Sequence, residues 1–136
     1  MSVFVDTSAF YALLVETERA HDSVFAVFRR LLEGARELRT TSYVIVETVA
    51  LLQARIGLRP VRDLQDKLLP LVSVEWVGVP LHERGMVRLL KESRRRLSLV
   101  DCVSLEKMEA DGITEAFALD PHFAVAGHHL LPPARA

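Results

Sequence analysis

Four carboxylates lie where the surrounding sequence is apolar. Asp6 closes the run Val3-Phe4-Val5, and Asp120 closes Ala116-Phe117-Ala118-Leu119. Asp101 follows Leu97-Ser98-Leu99-Val100, and Glu47 sits inside Val44-Ile45-Val46-Glu47-Thr48-Val49-Ala50-Leu51-Leu52. An ionised carboxylate drawn out of water is costly unless something pairs with it. No Lys or Arg stands immediately beside any of the four. One shared partner is the simplest account, and a divalent cation is the simplest partner. Oxygen ligands without Cys or His spacing select Mg²⁺ or Mn²⁺ over Zn²⁺. Such an ion activates water and steadies the leaving oxygen of an in-line displacement. The chemistry indicated is therefore metal-assisted, on a phosphodiester.

Each Asp also has a purely structural reading. Asp6 before Thr7-Ser8 fits a helix N-cap. Ser98-Leu99-Val100-Asp101 fits a capping box. Asp120-Pro121 fits a cap followed by proline at the first helical position. Glu47 is too deep in its helix to cap anything, and the four together favour one site. Thr7, Ser8 and Ser104 are hydroxyls near the acids, candidates to orient water or phosphate; their alternative is capping or back-bonding to their own helix. Arg94-Arg95-Arg96, just ahead of Asp101, is a candidate contact for an RNA backbone. The alternative is a solvated helix end favoured by the dipole. The five His show no ligand spacing, and His122 alone lies near one of the four acids. Cys102 reads as a small buried residue.

The elements that must position these groups follow from periodicity. Ser2 to Val5 reads as a buried strand and Thr7 to Val15 as a helix. A second helix covers His21 to Glu33, where Val24, Val27, Phe28, Leu31 and Leu32 recur at helical spacing. Glu37 to Thr41 reads as the second strand. Ser42 is expected to cap a helix running to Ile56, and Pro60 to open a short one reaching Leu69. Val72 to Val79 reads as a strand. Met86, Leu89, Leu90, Ser93 and Leu97 form a helical stripe, with Arg84, Arg88 and Lys91 mainly off it. Ser98 starts a helix ending near Asp111-Gly112. A strand over Ile113 to Leu119, a short helix over His122 to Ala126 and a strand over His129 to Leu131 follow.

Strands alternating with helices predict a parallel sheet covered on both faces. In such sheets ligands bind at the carboxyl ends of the strands. Asp6 and Asp120 leave the first and fourth strands there. Glu47 and Asp101 fall in the first turns of helices that begin at the same edge.

The chain as a whole bounds the answer. Its 136 residues, half of them hydrophobic, predict one domain over 1–136 with a sizeable core. The net charge of −1 excludes a global basic field, so a polyanion needs a local patch. Of the 17 basic residues 14 are Arg, whose forked guanidinium suits phosphate. The single cysteine excludes an intrachain disulfide and fits a reducing compartment. No basic leader and no membrane-length apolar run are present in the sequence. A cytoplasmic protein without a membrane is expected.

Taken in order, the acidic segments resemble the motifs of PIN-domain ribonucleases, specifically the VapC-like toxins of type II toxin–antitoxin systems. The matching segments are Phe4-Val5-Asp6-Thr7-Ser8-Ala9, Thr41-Ser42-Tyr43-Val44-Ile45-Val46-Glu47, Leu97-Ser98-Leu99-Val100-Asp101-Cys102 and Phe117-Ala118-Leu119-Asp120-Pro121-His122-Phe123, followed by Ala126-Gly127. The resemblance implies an α/β fold: a PIN-like α/β/α sandwich around a central, mainly parallel, roughly five-stranded sheet. It implies Mg²⁺- or Mn²⁺-dependent endoribonuclease activity, often on tRNA or rRNA. It implies a homodimer and a VapB-like antitoxin partner. It maps Asp6, Glu47, Asp101 and Asp120 onto the family's catalytic, metal-binding acids. The family often carries Thr or Ser two positions before the last Asp; Ala118 stands here instead. The alternatives are a PIN-domain RNA-processing nuclease without antitoxin and a degenerate PIN binding module. A phosphatase of the haloacid-dehalogenase type is disfavoured, because Ser8 stands where it needs a second acid.

Overall fold

The computed structural model describes residues 1–133. Its centre is a sheet of five strands, all parallel: β1 (Ser2–Val5), β2 (Glu37–Thr41), β3 (Val72–Glu75), β4 (Glu115–Phe117) and β5 (His129–Leu131). Their spatial order is β3-β2-β1-β4-β5. The chain steps outward from β1 to β3, then returns across the sheet to β4. The order therefore reverses between β1 and β4, and their carboxyl ends flank the crevice where open α/β sheets hold ligands.

The sheet is buried on both faces, as an all-parallel sheet must be. Val5 is in register with Phe117, and Phe4 with Ala116. Side chains alternate along a strand, so Phe117 and Phe4 point to opposite faces. Phe117 stacks on Phe28 of helix α2 (His21–Glu33) at 6.5 Å between ring centroids. Phe4 meets Phe123 of the short helix α7 (His122–Val125) at 6.4 Å. The α/β/α architecture expected from the alternation of elements is what the chain adopts.

The remaining helices are α1 (Thr7–Leu14), α3 (Ser42–Arg55), α4 (Leu58–Asp63), α5 (Val79–Glu92) and α6 (Leu99–Asp111). Several local expectations need correction, among them the fourth strand, expected over Ile113 to Leu119, which spans only Glu115–Phe117. Ser42 does not cap α3. The Thr41 hydroxyl does, accepting from the Val44 N–H, while Ser42 Oγ accepts the Val77 N–H at 2.9 Å. The third strand stops at Glu75, because its neighbour β2 ends at Thr41, the residue opposite. Beyond that point Val77 turns to Ser42, and Pro80 lies in the first turn of α5. Pro60 lies within α4, which starts at Leu58; the chain continues through a π-helical turn (Leu64–Leu68) and a 3₁₀ turn (Leu69–Leu71).

The stripe expected on α5 is shifted. Its buried residues are Leu81 and Gly85, Leu90 is exposed, and Leu97 lies beyond the helix. Close packing on α6 decides this. A Cβ at position 85 would stand 2.5 Å from Val103 Cγ2, so only glycine admits that approach. Arg88, expected on the solvent side, sits in the interface and pairs with Glu106 at 2.9 Å and Glu109 at 3.0 Å. Gly112 ends α6 in the left-handed conformation (φ 66°), and Ile113 N–H closes onto Met108 C=O.

Candidate active site

Four separate segments bring the predicted acids together. Asp6 follows β1 directly, and Asp120 lies three residues past β4. Glu47 is in the second turn of α3, and Asp101 is in the first turn of α6. All four line one cleft of about 460 Å³ at the carboxyl edge of the sheet.

Capping and clustering turn out to be the same event. Asp6 is the N-cap of α1: its Oδ2 accepts from Ser8 N–H at 3.2 Å and from Ser8 Oγ at 2.7 Å. Asp101 closes a capping box, its Oδ2 accepting from Ser98 N–H at 3.1 Å while Ser98 Oγ accepts from Asp101 N–H. Asp120 Oδ1 accepts from His122 N–H at 2.9 Å. Each cap occupies one carboxylate oxygen and fixes the other. Asp6 Oδ1 is buried and has no hydrogen-bond partner among the described residues.

The electrostatics follow from that crowding. Burial pushes the Asp6 carboxyl up to about 7; the two Ser8 hydrogen bonds pull it back, and Asp101 and Glu47 raise it further. Burial also raises Glu47, with the Thr7 hydroxyl opposing and the Asp101 and Asp120 charges adding to it. Asp101 is raised by burial and by Asp120, against its bonds to Ser98 and the His122 ring. Like-charged carboxyls in poor contact with water cannot all ionise without a cation.

The donors fit a hard divalent ion. Asp101, Asp120 and His122 each bring a ligand atom within 4.8 Å of one another; Asp6, with its unpaired buried oxygen, and Glu47 line the same cleft outside that group. His122 is better read as a support than as a ligand. Its Nε2 is 3.1 Å from the Arg96 carbonyl, which can only accept, so that nitrogen carries the proton. The ring ties the segment before α6 to Asp120. The Asp120-Pro121-His122 sequence was the only signal for it.

The supporting residues divide. Ser8 Oγ, besides serving Asp6, accepts the Leu119 N–H at 2.9 Å. It supplies a hydroxyl at the corner where Ala118 has none. Thr7 is buried and donates to Val44 C=O at 3.3 Å, anchoring α1 on α3. Ser104 donates to Val100 C=O within its own helix, and Cys102 is buried. Of the three consecutive arginines, Arg96 lines the cleft. Arg94 and Arg95 lie outside its lining, and Arg94 leans on Glu92 at 3.5 Å. Arg55 was not anticipated. It lines the cleft from the end of α3, with its guanidinium 5.5 Å from the Tyr11 ring centroid. Helical arithmetic places residues 47, 51 and 55 on one face of α3, which is the signal that was there to find.

Known proteins resemble this chain over most of its length. The PIN-domain profile matches residues 3–128. The 23S rRNA-specific endonuclease VapC20 of Mycobacterium tuberculosis, from strains CDC 1551 / Oshkosh and ATCC 25618 / H37Rv, is 34% identical over 127 residues, 92% of this chain and 94% of that one. The crystal structure of M. tuberculosis VapC20, described as a sarcin-ricin loop cleaving toxin, superposes with a TM-score of 0.80 at 32% identity, covering 93% of this chain and 95% of the other. FitAcB from Neisseria gonorrhoeae has the same fold, with a TM-score of 0.68 at 13% identity over 96% of each chain. The chain belongs to the PIN-domain family, and its relatives there include the VapC-type endonucleases.

Proposed function

We propose that this chain is a metal-dependent endoribonuclease acting as the toxin of a VapBC-type pair. The observation that carries the reading is the convergence of Asp6, Glu47, Asp101 and Asp120 on one cleft, with a buried Asp6 oxygen left unpaired. Asp6 and Asp101 hold the principal ion, and Glu47 and Asp120 complete its surroundings directly or through water. Mg²⁺ is the expected cofactor and Mn²⁺ its substitute. A bound divalent cation supplies acidified water and charge compensation at the phosphate. The chain's own contribution is placement. Ser8, Ser98 and the His122 backbone fix three of the carboxylates by hydrogen bonds before substrate arrives. Thr7 holds α1 against α3. Arg96 and Arg55 face the phosphates in an otherwise anionic cleft. Arg94 and Arg95 extend that basic edge along the RNA backbone.

The substrate class is RNA, with rRNA first because VapC20 is named for cutting 23S rRNA; tRNA is the other candidate. Residues 1–136 act as one catalytic domain, paired as a homodimer and silenced by a VapB-like antitoxin. The site of action is the cytoplasm. No helix among the described residues is long and apolar enough to cross a membrane.

The deciding experiment incubates the purified protein, freed of any co-purified antitoxin, with total cellular RNA in Mg²⁺, Mn²⁺ or EDTA. Asp6→Asn serves as the control. Discrete fragments that need metal and are absent from the variant are the expected result. Folded protein that leaves the RNA intact in both metals would move the reading to a PIN binding module.

A further inference from the structure

A second cleft, of about 730 Å³, adjoins the carboxylates. It lies between the start of α2, the β4–α7 connection and the residues after β5, and it shares Glu18 and Leu119 with the catalytic cleft. Leu119, Pro121, Leu130 and Pro132 give it apolar walls, while Glu18, Arg19 and Ser23 stand around it with polar groups. Mainly apolar walls with a few placed polar groups are the usual make-up of a small-molecule-sized site.

We propose that this cleft is a nucleoside subsite that seats the base next to the scissile phosphate and so determines where the RNA is cut. The inference rests on the nuclease reading above. Continuity is the first reason. An RNA strand whose phosphate lies at Asp6 and Asp101 runs past Leu119, the shared wall, so a neighbouring nucleoside reaches the second cleft. Chemistry is the second. Single-stranded nucleic acid binds by stacking bases on aromatic side chains while basic groups track the backbone; here apolar side chains offer the base its burial. The proline and leucine walls take the base, and the Arg19 guanidinium takes its phosphate. Glu18 accepts hydrogen bonds only, so the favoured base is one that presents an exocyclic amino group, as glutamate does with cytosine N4. Rigidity is the third reason. The Leu119 N–H is held by Ser8 Oγ at 2.9 Å, and that same oxygen is 2.7 Å from Asp6 Oδ2. A base against Leu119 is thus registered to the catalytic carboxylates through one hydroxyl.

The test uses short single-stranded oligoribonucleotides differing in one base, with wild type, Ser23→Trp and Arg19→Ala. Ser23 and Arg19 are exposed, so both changes are compatible with the fold. An unchanged Mn²⁺-induced shift in thermal midpoint confirms an intact metal centre in each. Cleavage is read in the active proteins, and binding is read separately by fluorescence anisotropy in the Asp6→Asn background. Filling the cleft with Trp should lower cleavage efficiency and binding roughly tenfold or more, the size of one base contact, and flatten the base preference. Arg19→Ala should weaken binding to every oligonucleotide alike. Wild-type preference, efficiency and affinity in both variants would overturn the subsite. Wild-type protein that binds the oligonucleotides but cuts neither them nor total cellular RNA would overturn the nuclease reading instead, and the subsite would then stand or fall on the difference in binding.

Discussion

The Ser8 hydroxyl donates to Asp6 Oδ2 at 2.7 Å while accepting the Leu119 N–H at 2.9 Å. One small side chain therefore locks the first acid and the connection carrying the last acid into a single frame. Ser8→Ala removes both bonds and leaves the Asp6 carboxylate with only its backbone donor. Supporting contacts of this kind are worth 10–100-fold or so in metal affinity or activity. We expect a loss of that size in Mn²⁺ affinity and in kcat, with only about 1 kcal/mol lost in stability. Isothermal titration with Mn²⁺, alongside urea unfolding, separates the two effects.

Asp6→Asn should abolish RNA cleavage and yet raise the thermal midpoint of the metal-free protein. The side chain is 3% exposed and its carboxyl is pushed up to about 7, chiefly by burial. A neutral amide can keep the acceptor role toward Ser8 without carrying the buried charge. The raised carboxyl costs stability at any pH above its unfolded value of about 4, and the amide removes that cost. Asp101→Asn should abolish cleavage likewise while the fold survives, since its capping box needs only one oxygen. Thermal melts in EDTA are the measurement, and a lower midpoint for Asp6→Asn would show that the cluster is not under electrostatic strain.

Stability without metal should fall as pH rises from about 4 to about 7. In that window folded Asp6 still holds its proton, because its carboxyl is raised to about 7, whereas the unfolded chain has lost it. The folded state then binds more protons than the unfolded one, so raising the pH favours unfolding. Glu47 and Asp101 are shifted in the same direction and add to the slope. Saturating Mg²⁺ or Mn²⁺ replaces those protons and should flatten or reverse the dependence. Melts across that range with and without metal check the sign.

Gly85→Ala tests what sets α6 in place. The new Cβ would fall 2.5 Å from Val103 Cγ2, at the interface that fixes α6 and with it Asp101. Overpacking of this kind costs about 1–3 kcal/mol, more than the gain of roughly 1 kcal/mol in helix propensity. A net loss in urea midpoint is expected, with partial recovery in the Gly85→Ala/Val103→Ala double variant.

Much of this protein is legible in its sequence for a definite physical reason. β1, β2 and β5, and the helix His21–Glu33, match the expected spans; in the helix the apolar periodicity is undisturbed and Gly34 follows its end. The four acids stand out because a carboxylate in an apolar run demands a partner. For the three Asp, capping and clustering looked like competing readings, and the fold makes them compatible: one oxygen accepts a local N–H while the side chain still lines the cleft.

What sequence alone left open depends on neighbours distant along the chain. β3 stops at Glu75 because β2 stops opposite it, and nothing within Val72–Val79 announces that. The buried face of α5 is set by how closely α6 approaches Gly85, which no local stripe encodes. Arg55 and His122 acquire their positions from Tyr11 and the Arg96 carbonyl, partners 44 and 26 residues away. Local patterning determined most of the strands and helices and singled out the candidate residues for the chemistry. Only the strand order, with its reversal between β1 and β4, decided that those residues share one cleft, because convergence is a property of topology and not of spacing along the chain.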